Sequence, residues 1–328
     1  MRPKRKLKFS RICILTLMAV LLITGAHRTA SKILPPIMDR LSEDISAHLS
    51  SSDLPSRSGA EEPVILNPAG RKLYSPYAIL VRLQDRQVVF ETRSEEQISP
   101  ASLTKIMTAI VAIEKIPDLQ EPVILPNEVF NDLYLANASM AGFLPGEEVP
   151  AIDLLYGTLL PSGADASLGL ALKVAGSESE FVKLMNRKAR QIGMKDTHFT
   201  NACGFYDENH YSTVNDIAVL LEYALQNETF REVFTSARHS TASTNRHPGG
   251  ITFYSTMFAK TDTYEFDGGR ILGAKTGYTA ESGQCLASLA VKNGTEYILV
   301  TAGAAGDNTT KPYHIMDAFT VYGTYLSQ

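Results

Sequence analysis

A serine and a lysine stand one helical turn apart at the start of a largely apolar stretch. Ser102 and Lys105 are followed by the run from Ile106 to Ile113, and Pro100 precedes them as it commonly precedes a helix. Residues i and i+3 share a helix face, so both side chains can meet at the mouth of a buried helix. A lysine in apolar surroundings loses its charge more readily, and its amine can then activate the serine as a nucleophile. The backbone N–H at the helix start can hold an oxyanion.

The pair alone does not decide the function. Average composition gives about one Ser-x-x-Lys by chance in a chain of this length. A polar first turn on a core helix is therefore the favoured explanation when the pair is taken alone. A second motif, Ser162-Gly163-Ala164, follows in a turn between two predicted helices. There the Ser162 hydroxyl could relay a proton to a leaving amine.

A third motif, Lys275-Thr276-Gly277, lies on a predicted strand. Lys275 offers a fixed positive charge and Thr276 a hydroxyl, and both suit a substrate carboxylate. Gly277 would let a substrate chain lie flat along the strand edge. The three motifs together can therefore supply a nucleophile, its base, a proton relay and a substrate-binding strand.

Composition narrows the class of protein. The 328 residues are 44% hydrophobic and 20% charged, with a net charge of -4, which is ordinary for a globular protein. This balance argues against nucleic-acid binding. No Cys/His cluster has zinc spacing, so we expect neither a metal nor a cofactor. Cys203 and Cys285 follow the N-terminal apolar run, and we expect two unpaired thiols in preference to a disulfide.

The N-terminus predicts export. Six basic residues lie among the first eleven, and an apolar run, Ile12 to Ala26, follows them. We interpret residues 1–26 as a signal peptide or a membrane anchor, residues 27–75 as a tether, and residues 76–328 as the catalytic domain. The domain is then extracytoplasmic, either anchored to the cell membrane or secreted, and the sequence leaves cleavage open.

The order of predicted elements indicates an α/β (α+β) fold. Strands occur at both ends of the domain and helices between them, which predicts one antiparallel sheet flanked by helices, with a helical lobe inserted. We predict a loop-rich segment from Glu121 to Leu144. The predicted strands are 77–83, 87–92, 273–278, 284–291 and 296–302, with Asn293-Gly294 as a hairpin turn, and the predicted helices are 151–160, 167–175, 180–192, the later part of 210–225, and 312–326.

The motifs resemble those of the penicillin-recognising serine hydrolases, which are Ser-x-x-Lys, Ser-x-Asn and Lys-Thr-Gly. The chain is most similar to D-alanyl-D-alanine carboxypeptidases, the low-molecular-mass penicillin-binding proteins, from about Tyr77 to Tyr325. Further matching segments are 100–108, 154–157, 197–201, 210–213 and 275–279. The resemblance implies a β-lactamase/transpeptidase-like fold. It also implies catalytic roles for Ser102, Lys105 and Ser162, and substrate binding by Lys275, Thr276 and Gly277.

The implied activity is removal of the terminal D-Ala from peptidoglycan stem peptides ending in D-Ala-D-Ala, with β-lactams as inhibitors. Ala164 stands where the family has the motif Asn, and Cys203 stands where a His is frequent. The Ala164 departure keeps a penicillin-binding pseudoenzyme open, and a D,D-endopeptidase acting on cross-links is a further alternative. A class A β-lactamase is disfavoured, because no Glu-x-x-Leu-Asn run lies between Ser162 and Lys275.

Other ionisable side chains are expected to be structural or solvated. We interpret His198 and His210 as hydrogen-bonded structural residues in loops. We expect Glu147, Glu148, Glu178 and Glu180 to be solvated surface charges.

Overall fold

The computed structural model of the protein describes residues 65–66, 70, 72–307 and 309–326. The predicted signal or anchor, and most of the predicted tether, lie outside the described residues. The chain divides into two units, Met1–Glu62 and Pro63–Gln328, and the fold described here belongs to the second. No helix within the described ranges is long and apolar enough to cross a membrane.

Eight α-helices and twelve strands are found in the described part of the chain. The helices are α1 Thr104–Lys115, α2 Glu128–Leu135, α3 Ala151–Leu159, α4 Ala164–Ala175, α5 Glu178–Ile192, α6 Val214–Leu225, α7 Glu228–Thr235 and α8 Tyr313–Tyr325. The strands are β1 Ile65–Leu66, β2 Lys72–Leu73, β3 Tyr77–Arg82, β4 Gln87–Thr92, β5 Pro122–Ile124, β6 Glu148–Pro150, β7 Arg238–Ser240, β8 Thr252–Tyr254, β9 Glu265–Phe266, β10 Gly269–Thr279, β11 Gly283–Lys292 and β12 Thr295–Ala304. Short 3-10 turns occupy Ala101–Leu103 and Phe258–Lys260.

One antiparallel sheet forms the centre of the fold, as the sequence predicts. Its six strands lie in the order β4-β3-β12-β11-β10-β9. Hairpins join β3 to β4 and β11 to β12. The second hairpin turns at Asn293 and Gly294, whose φ angles of 50° and 77° suit the primed turns that follow the strand twist.

Both faces of the sheet are buried. Along β3, Ile79 and Val81 face the larger core with the helical lobe, whereas Ala78 and Leu80 face a smaller core under α8. This alternation follows the two-residue period of a strand. A sheet covered on both sides has near-continuous apolar strands, and that explains the Gln284 to Val291 run.

Helix α1 lies at the centre of the helical lobe. Every residue from Thr104 to Ala112 is buried, because the helix packs against α3, α4, α5 and α6. A helix buried on all sides is largely apolar, and the three polar residues of this stretch, Thr104, Lys105 and Thr108, form hydrogen bonds. The residues at its N-terminus are therefore held on a rigid support.

The structure corrects several boundaries. The segment predicted to be loop-rich, Glu121 to Leu144, contains strand β5 and helix α2. Helix α4 begins at Ala164, three residues before the predicted start, so the second motif lies directly at its N-terminus. The short elements α7, β7, β8 and β9 between residues 228 and 266 were not predicted.

The predictions for the cysteines and histidines are confirmed, and those for two of the glutamates are wrong. Cys203 and Cys285 are buried free thiols, as expected. His210 is a structural residue, because its Nε2 lies 2.8 Å from Thr104 Oγ1 and its Nδ1 accepts from the Thr200 N–H. His198 Nδ1 likewise bonds the Asn209 carbonyl.

Two of the four glutamates expected to be solvated are not. Glu147 is fully buried, because its carboxylate accepts from the Leu144 N–H and the Thr244 hydroxyl and pairs with His247. Glu178 is half-buried and accepts from the Ala202 N–H. Both carboxylates hold loops in place.

Candidate active site

Ser102 lies on a tight turn at the N-terminus of α1. Ala101, just before it, has a φ of 46°, a left-handed conformation that is uncommon for a residue with a side chain. Such strain persists only where the surroundings impose it. Here the loop that contains Gly204 packs directly against the turn, since a Cβ on Gly204 would lie 1.9 Å from the Ala101 carbonyl oxygen. Glycine at 204 therefore permits the close contact that fixes the serine.

Lys105 lies beside Ser102 in a dry environment. Its Nζ is 3.2 Å from Ser102 Oγ and donates to the Cys203 carbonyl at 2.6 Å. The side chain is only 2% exposed. Burial lowers the pKa of Lys105, although the nearby Cys203 and Asp165 act in the opposite direction. The geometry predicted for the Ser-x-x-Lys pair is thus present in the structure.

The carbonyl that contacts Lys105 is held by a fixed loop. The side-chain oxygen of Asn201 accepts from the N–H groups of Cys203, Gly204 and Phe205 at 3.2, 2.7 and 3.0 Å. The amide nitrogen of Asn201 also donates to the Phe205 carbonyl. Asn201 therefore organises the backbone that contacts both Lys105 and the nucleophile turn.

Ser162 and Lys275 form a second serine–lysine pair. Lys275 is fully buried, and its Nζ donates to Ser162 Oγ at 2.9 Å and to the Thr276 carbonyl at 2.7 Å. Ser162 has a φ of 67°, which is again left-handed. Burial, and then the charge of Lys105, lower the pKa of Lys275 well below its usual value. Lys275 therefore bonds both the Ser162 hydroxyl and the backbone of its own strand.

The Ala164 departure leaves no polar side chain at that position. The Ala164 N–H donates to the Ser139 carbonyl, and the Ala164 carbonyl lies 3.8 Å from Cys203 Sγ. Asp165 does not replace the missing amide. Its carboxylate accepts from the N–H groups of residues 141, 142 and 143 at 2.8, 3.1 and 3.1 Å. Burial raises the pKa of Asp165, while these N–H donors counteract the rise.

The third motif brings strand β10 against the nucleophile turn. A Cβ on Gly277 would lie 3.2 Å from Ser102 N and 3.2 Å from Ala101 Cβ. Thr276 Oγ1 shares a 2.7 Å hydrogen bond with Thr256 Oγ1. The glycine thus allows the strand edge and the serine N–H to lie side by side.

Backbone N–H and C=O groups of β10 line the edge of the strand that faces the cleft. Strand β9 pairs only with the start of β10, at Gly269 and Arg270, so the later edge has no strand partner among the described residues. Thr279 N–H turns towards the β11 side and donates to Ser282 Oγ at 2.7 Å. Backbone groups alternate along a strand, so the Tyr278 N–H points to the open edge, as the Thr276 carbonyl does.

Four of the six predicted site residues line one cleft of about 80 Å³, and the two lysines lie behind its wall. The remaining lining residues were not singled out from the sequence, although Tyr278 directly follows the Lys-Thr-Gly motif. The cleft is lined by Ser102, Ser139, Pro161, Ser162, Thr256, Lys260, Thr276, Gly277, Tyr278, Gln284 and His314. Within the described ranges, no group of three or more His, Cys, Asp or Glu could hold a metal ion.

Comparison with known proteins identifies the family. Residues 65–306 match the family described as D-alanyl-D-alanine carboxypeptidase, and the chain belongs to that family. It is 33% identical over 266 residues to the D-alanyl-D-alanine carboxypeptidase DacF of Bacillus subtilis, an alignment that covers 76% of this chain and 63% of DacF.

A second relative carries a different activity in its name. The D-alanyl-D-alanine endopeptidase of Pseudomonas aeruginosa is 28% identical over 285 residues, which cover 85% of this chain and 86% of the relative. Among solved structures, the Streptomyces K15 DD-transpeptidase superposes with a TM-score of 0.68 at 26% identity. That superposition covers 77% of this chain and 98% of the transpeptidase. The predicted family and the predicted fold class are both confirmed.

Proposed function

We propose that this protein is a serine-type D-alanyl-D-alanine carboxypeptidase that removes the terminal D-Ala from peptidoglycan stem peptides through an acyl-enzyme on Ser102. One observation carries the proposal: a buried lysine, Lys105, lies 3.2 Å from the hydroxyl of a serine on a strained turn. A desolvated lysine can be neutral, and a neutral amine can accept the hydroxyl proton. Family membership supplies the substrate class.

The first half of the reaction forms the acyl-enzyme. The lone pair of neutral Lys105 takes the Ser102 proton, and Oγ attacks the carbonyl carbon of the penultimate D-Ala. The carbonyl oxygen becomes an oxyanion, which the N–H groups of Ser102 and Tyr278 stabilise at the edge of β10. Collapse of this intermediate breaks the peptide bond and leaves the peptide esterified to Ser102.

The leaving D-Ala nitrogen needs a proton, and Ser162 is placed to deliver it. Its hydroxyl is bonded to Lys275, so a proton passed from Ser162 to the nitrogen can be replaced from the lysine ammonium. Lys105 next passes the proton that it took from Ser102 to the now neutral Lys275, which returns both lysines to their starting states. Water then attacks the ester with Lys105 as base, and Lys105 gives that proton to Ser102 as the ester bond breaks. A β-lactam would enter the same first step, because its ring amide mimics the bond that is cut.

The D,D-endopeptidase is the second candidate, favoured by the Pseudomonas aeruginosa relative, whose alignment covers 85% of this chain. Both reactions use the same acyl-enzyme and differ in the leaving amine. The pseudoenzyme alternative is motivated by Ala164, but the Lys105 contact with Ser102 is formed without the motif Asn.

The expected location is outside the cytoplasm. The basic N-terminal residues and the Ile12 to Ala26 run support export, with the N-terminal segment serving either as a membrane anchor or as a cleaved signal. Protease added to intact, wall-stripped cells should then digest the catalytic domain, and full protection would contradict this location.

The function is tested on the purified protein with three substrates: a stem pentapeptide, a cross-linked stem dimer, and penicillin. We expect release of D-Ala from the pentapeptide and a penicillin adduct on the peptide that contains Ser102. The Ser102→Ala variant should give neither product while remaining folded. Cleavage of the dimer alone would favour the endopeptidase, and an adduct without any turnover would favour the pseudoenzyme. Neither adduct nor turnover would overturn the proposal.

A further inference from the structure

An irregular segment, residues 139–143, packs against the second motif. A Cβ on Gly163 would lie 2.6 Å from Ala141 Cβ and 2.7 Å from Ala141 N, so no side chain fits between the two. The Ala164 N–H also donates to the Ser139 carbonyl at 2.8 Å. Because Ser139 lines the cleft, the position of this segment determines one wall of the candidate active site.

The carboxylate of Asp165 holds the segment in place. It is fully buried and accepts from three consecutive N–H groups, those of residues 141, 142 and 143, at 2.8, 3.1 and 3.1 Å. Gly142 has a φ of 104°, a conformation that glycine readily adopts, and consecutive N–H groups can then converge on one anion. Hydrogen bonds to an ionised acceptor are the strong ones, so this side chain fixes the backbone of the segment.

The backbone of Ser162 is fixed by the same packing. Its φ of 67° is left-handed, and such a conformation persists only where the surroundings impose it. The next two N–H groups of the chain donate to the carbonyls of Gly157 and Ser139, both at 2.8 Å. In this conformation Ser162 Oγ lies 2.9 Å from Lys275 Nζ. One of the two bonds that fix Ser162 thus ends on the segment that Asp165 holds.

We propose that Asp165 is a positioning residue for the reaction: by holding residues 139–143 against the second motif, it keeps the Ser162 hydroxyl where it can protonate the leaving nitrogen. This inference rests on the proposed function and adds a residue that none of the three motifs contains. Asp165 is fully buried and is not among the residues that line the cleft. It therefore acts through Ser162 and does not contact the substrate.

The test compares two substrates that differ in whether the leaving group needs a proton. In a stem pentapeptide the leaving group is an amine, which must be protonated as the bond breaks. In a thioester analogue, sulfur replaces that nitrogen, and a thiol with a pKa of about 8.5 can leave as the thiolate. Ser162→Ala calibrates the comparison. It should lower kcat/KM for the peptide by about 10²–10⁴-fold and should affect the thioester far less.

Asp165→Asn keeps the shape of the side chain but leaves one acceptor oxygen in place of two. We expect kcat/KM to fall about tenfold to hundredfold for the pentapeptide, and by less than about threefold for the thioester. Both rates are measured at a pH where acylation no longer rises, because the charge of Asp165 also raises the pKa of Lys105.

Asp216→Asn is the matched control. Asp216 is likewise buried in the first turn of a helix, α6, and accepts from the N–H groups of residues 195 and 196 at 3.3 and 2.8 Å. The segment that it holds does not line the cleft. Asp216→Asn should therefore lower the melting temperature as Asp165→Asn does, while neither substrate changes by more than about threefold.

A double variant tests whether Asp165 acts through Ser162. Adding Asp165→Asn to Ser162→Ala should slow the pentapeptide by less than about threefold further, because the two residues act as a unit. If Asp165→Asn does not fold, Ala141→Gly loosens the same segment at a half-buried position. It should slow the peptide by about twofold to fivefold and leave the thioester unchanged.

The outcomes separate this inference from the proposed function. If the unaltered protein neither releases D-Ala nor forms the Ser102 adduct, the proposed function fails before any variant is compared. If the unaltered protein is active, the role of Asp165 is refuted by a folded Asp165→Asn or Ala141→Gly protein that slows both substrates equally or slows neither. Equal losses in Asp216→Asn, or additive losses in the double variant, would also refute it. The carboxypeptidase stands in each of these cases.

Discussion

Replacing Gly277 with alanine should impair acylation of Ser102 without unfolding the protein. The added Cβ would lie 3.2 Å from Ser102 N and 3.2 Å from Ala101 Cβ, which is tighter than most real Cβ contacts. Gly277 does not have a left-handed φ, so the substitution adds no backbone strain and acts through space alone. The methyl group would lie beside the Ser102 N–H that we propose holds the oxyanion.

The size of the effect follows from two losses. Removing one oxyanion donor costs about 10²–10³-fold in rate. Displacing a reacting group by a few tenths of an ångström costs less than the roughly 10²-fold expected for 1 Å. We therefore expect acylation about 10²-fold slower, which corresponds to about 2.7 kcal/mol. The free energy of unfolding should fall by only about 1 kcal/mol, the low end of the range for overpacked sites.

The assay is the second-order rate of penicillin adduct formation, followed by the mass of the intact protein, together with thermal unfolding. Gly249→Ala is the matched control, because nothing lies within 4 Å of its added Cβ and its φ is not left-handed. A folded Gly277→Ala protein that acylates within about threefold of the natural rate would refute the close approach of β10 to the nucleophile. An equal loss in the Gly249→Ala protein would show that the effect is not local.

Three further predictions follow from the same geometry. Burial lowers the pKa of Lys105, so the fraction of neutral Lys105 and the rate of acylation should rise with pH and level off below pH 10.5, the usual lysine pKa. A rate that levels off only above pH 10.5 would contradict Lys105 as the base. Lys275→Ala should slow hydrolysis of a stem peptide with a free C-terminus and of the same peptide with a C-terminal amide alike, by about 10²–10⁴-fold, since Lys275 acts on Ser162. A loss confined to the free acid would show that Lys275 binds the substrate carboxylate, as the sequence suggests. Ala164→Asn should lower the melting temperature and slow acylation, because residue 164 is 1% exposed beside Cys203; faster acylation in a penicillin assay would show a looser natural site.

Much of the fold follows from local sequence patterns. Alternating or continuous apolar runs predict strands β3, β4, β10, β11 and β12, and the Asn293-Gly294 pair predicts one hairpin turn. The segment from 228 to 266 escapes prediction for a physical reason. Strands β7 and β8 have three residues each, too few for a period to appear, and tertiary contacts determine them.

The sequence predicts only those contacts of the site that join side chains of the motifs to each other. The spacing of Ser102 and Lys105 predicts their contact, because a helix fixes it. The second contact of Lys105 is a backbone carbonyl 98 residues away, and a carbonyl has no signature in the sequence. Glu147 is predicted wrongly for the same reason, since the residues that bury it, Thr244 and His247, are 97 and 100 residues distant.

Lys105 and Lys275 affect each other's protonation, because both are buried in one site. Lys105 and Lys275 are both almost fully buried, and the charge of Lys105 is among the causes that lower the pKa of Lys275. Burying an ammonium costs free energy, and a second ammonium nearby raises that cost. A charge on either lysine therefore favours the neutral form of the other. The reaction needs Lys105 neutral when Ser102 loses its proton, and Lys275 charged when Ser162 supplies one. Because the charge of Lys105 is among the causes that lower the pKa of Lys275, loss of the Lys105 proton raises the pKa of Lys275, so the two changes favour each other.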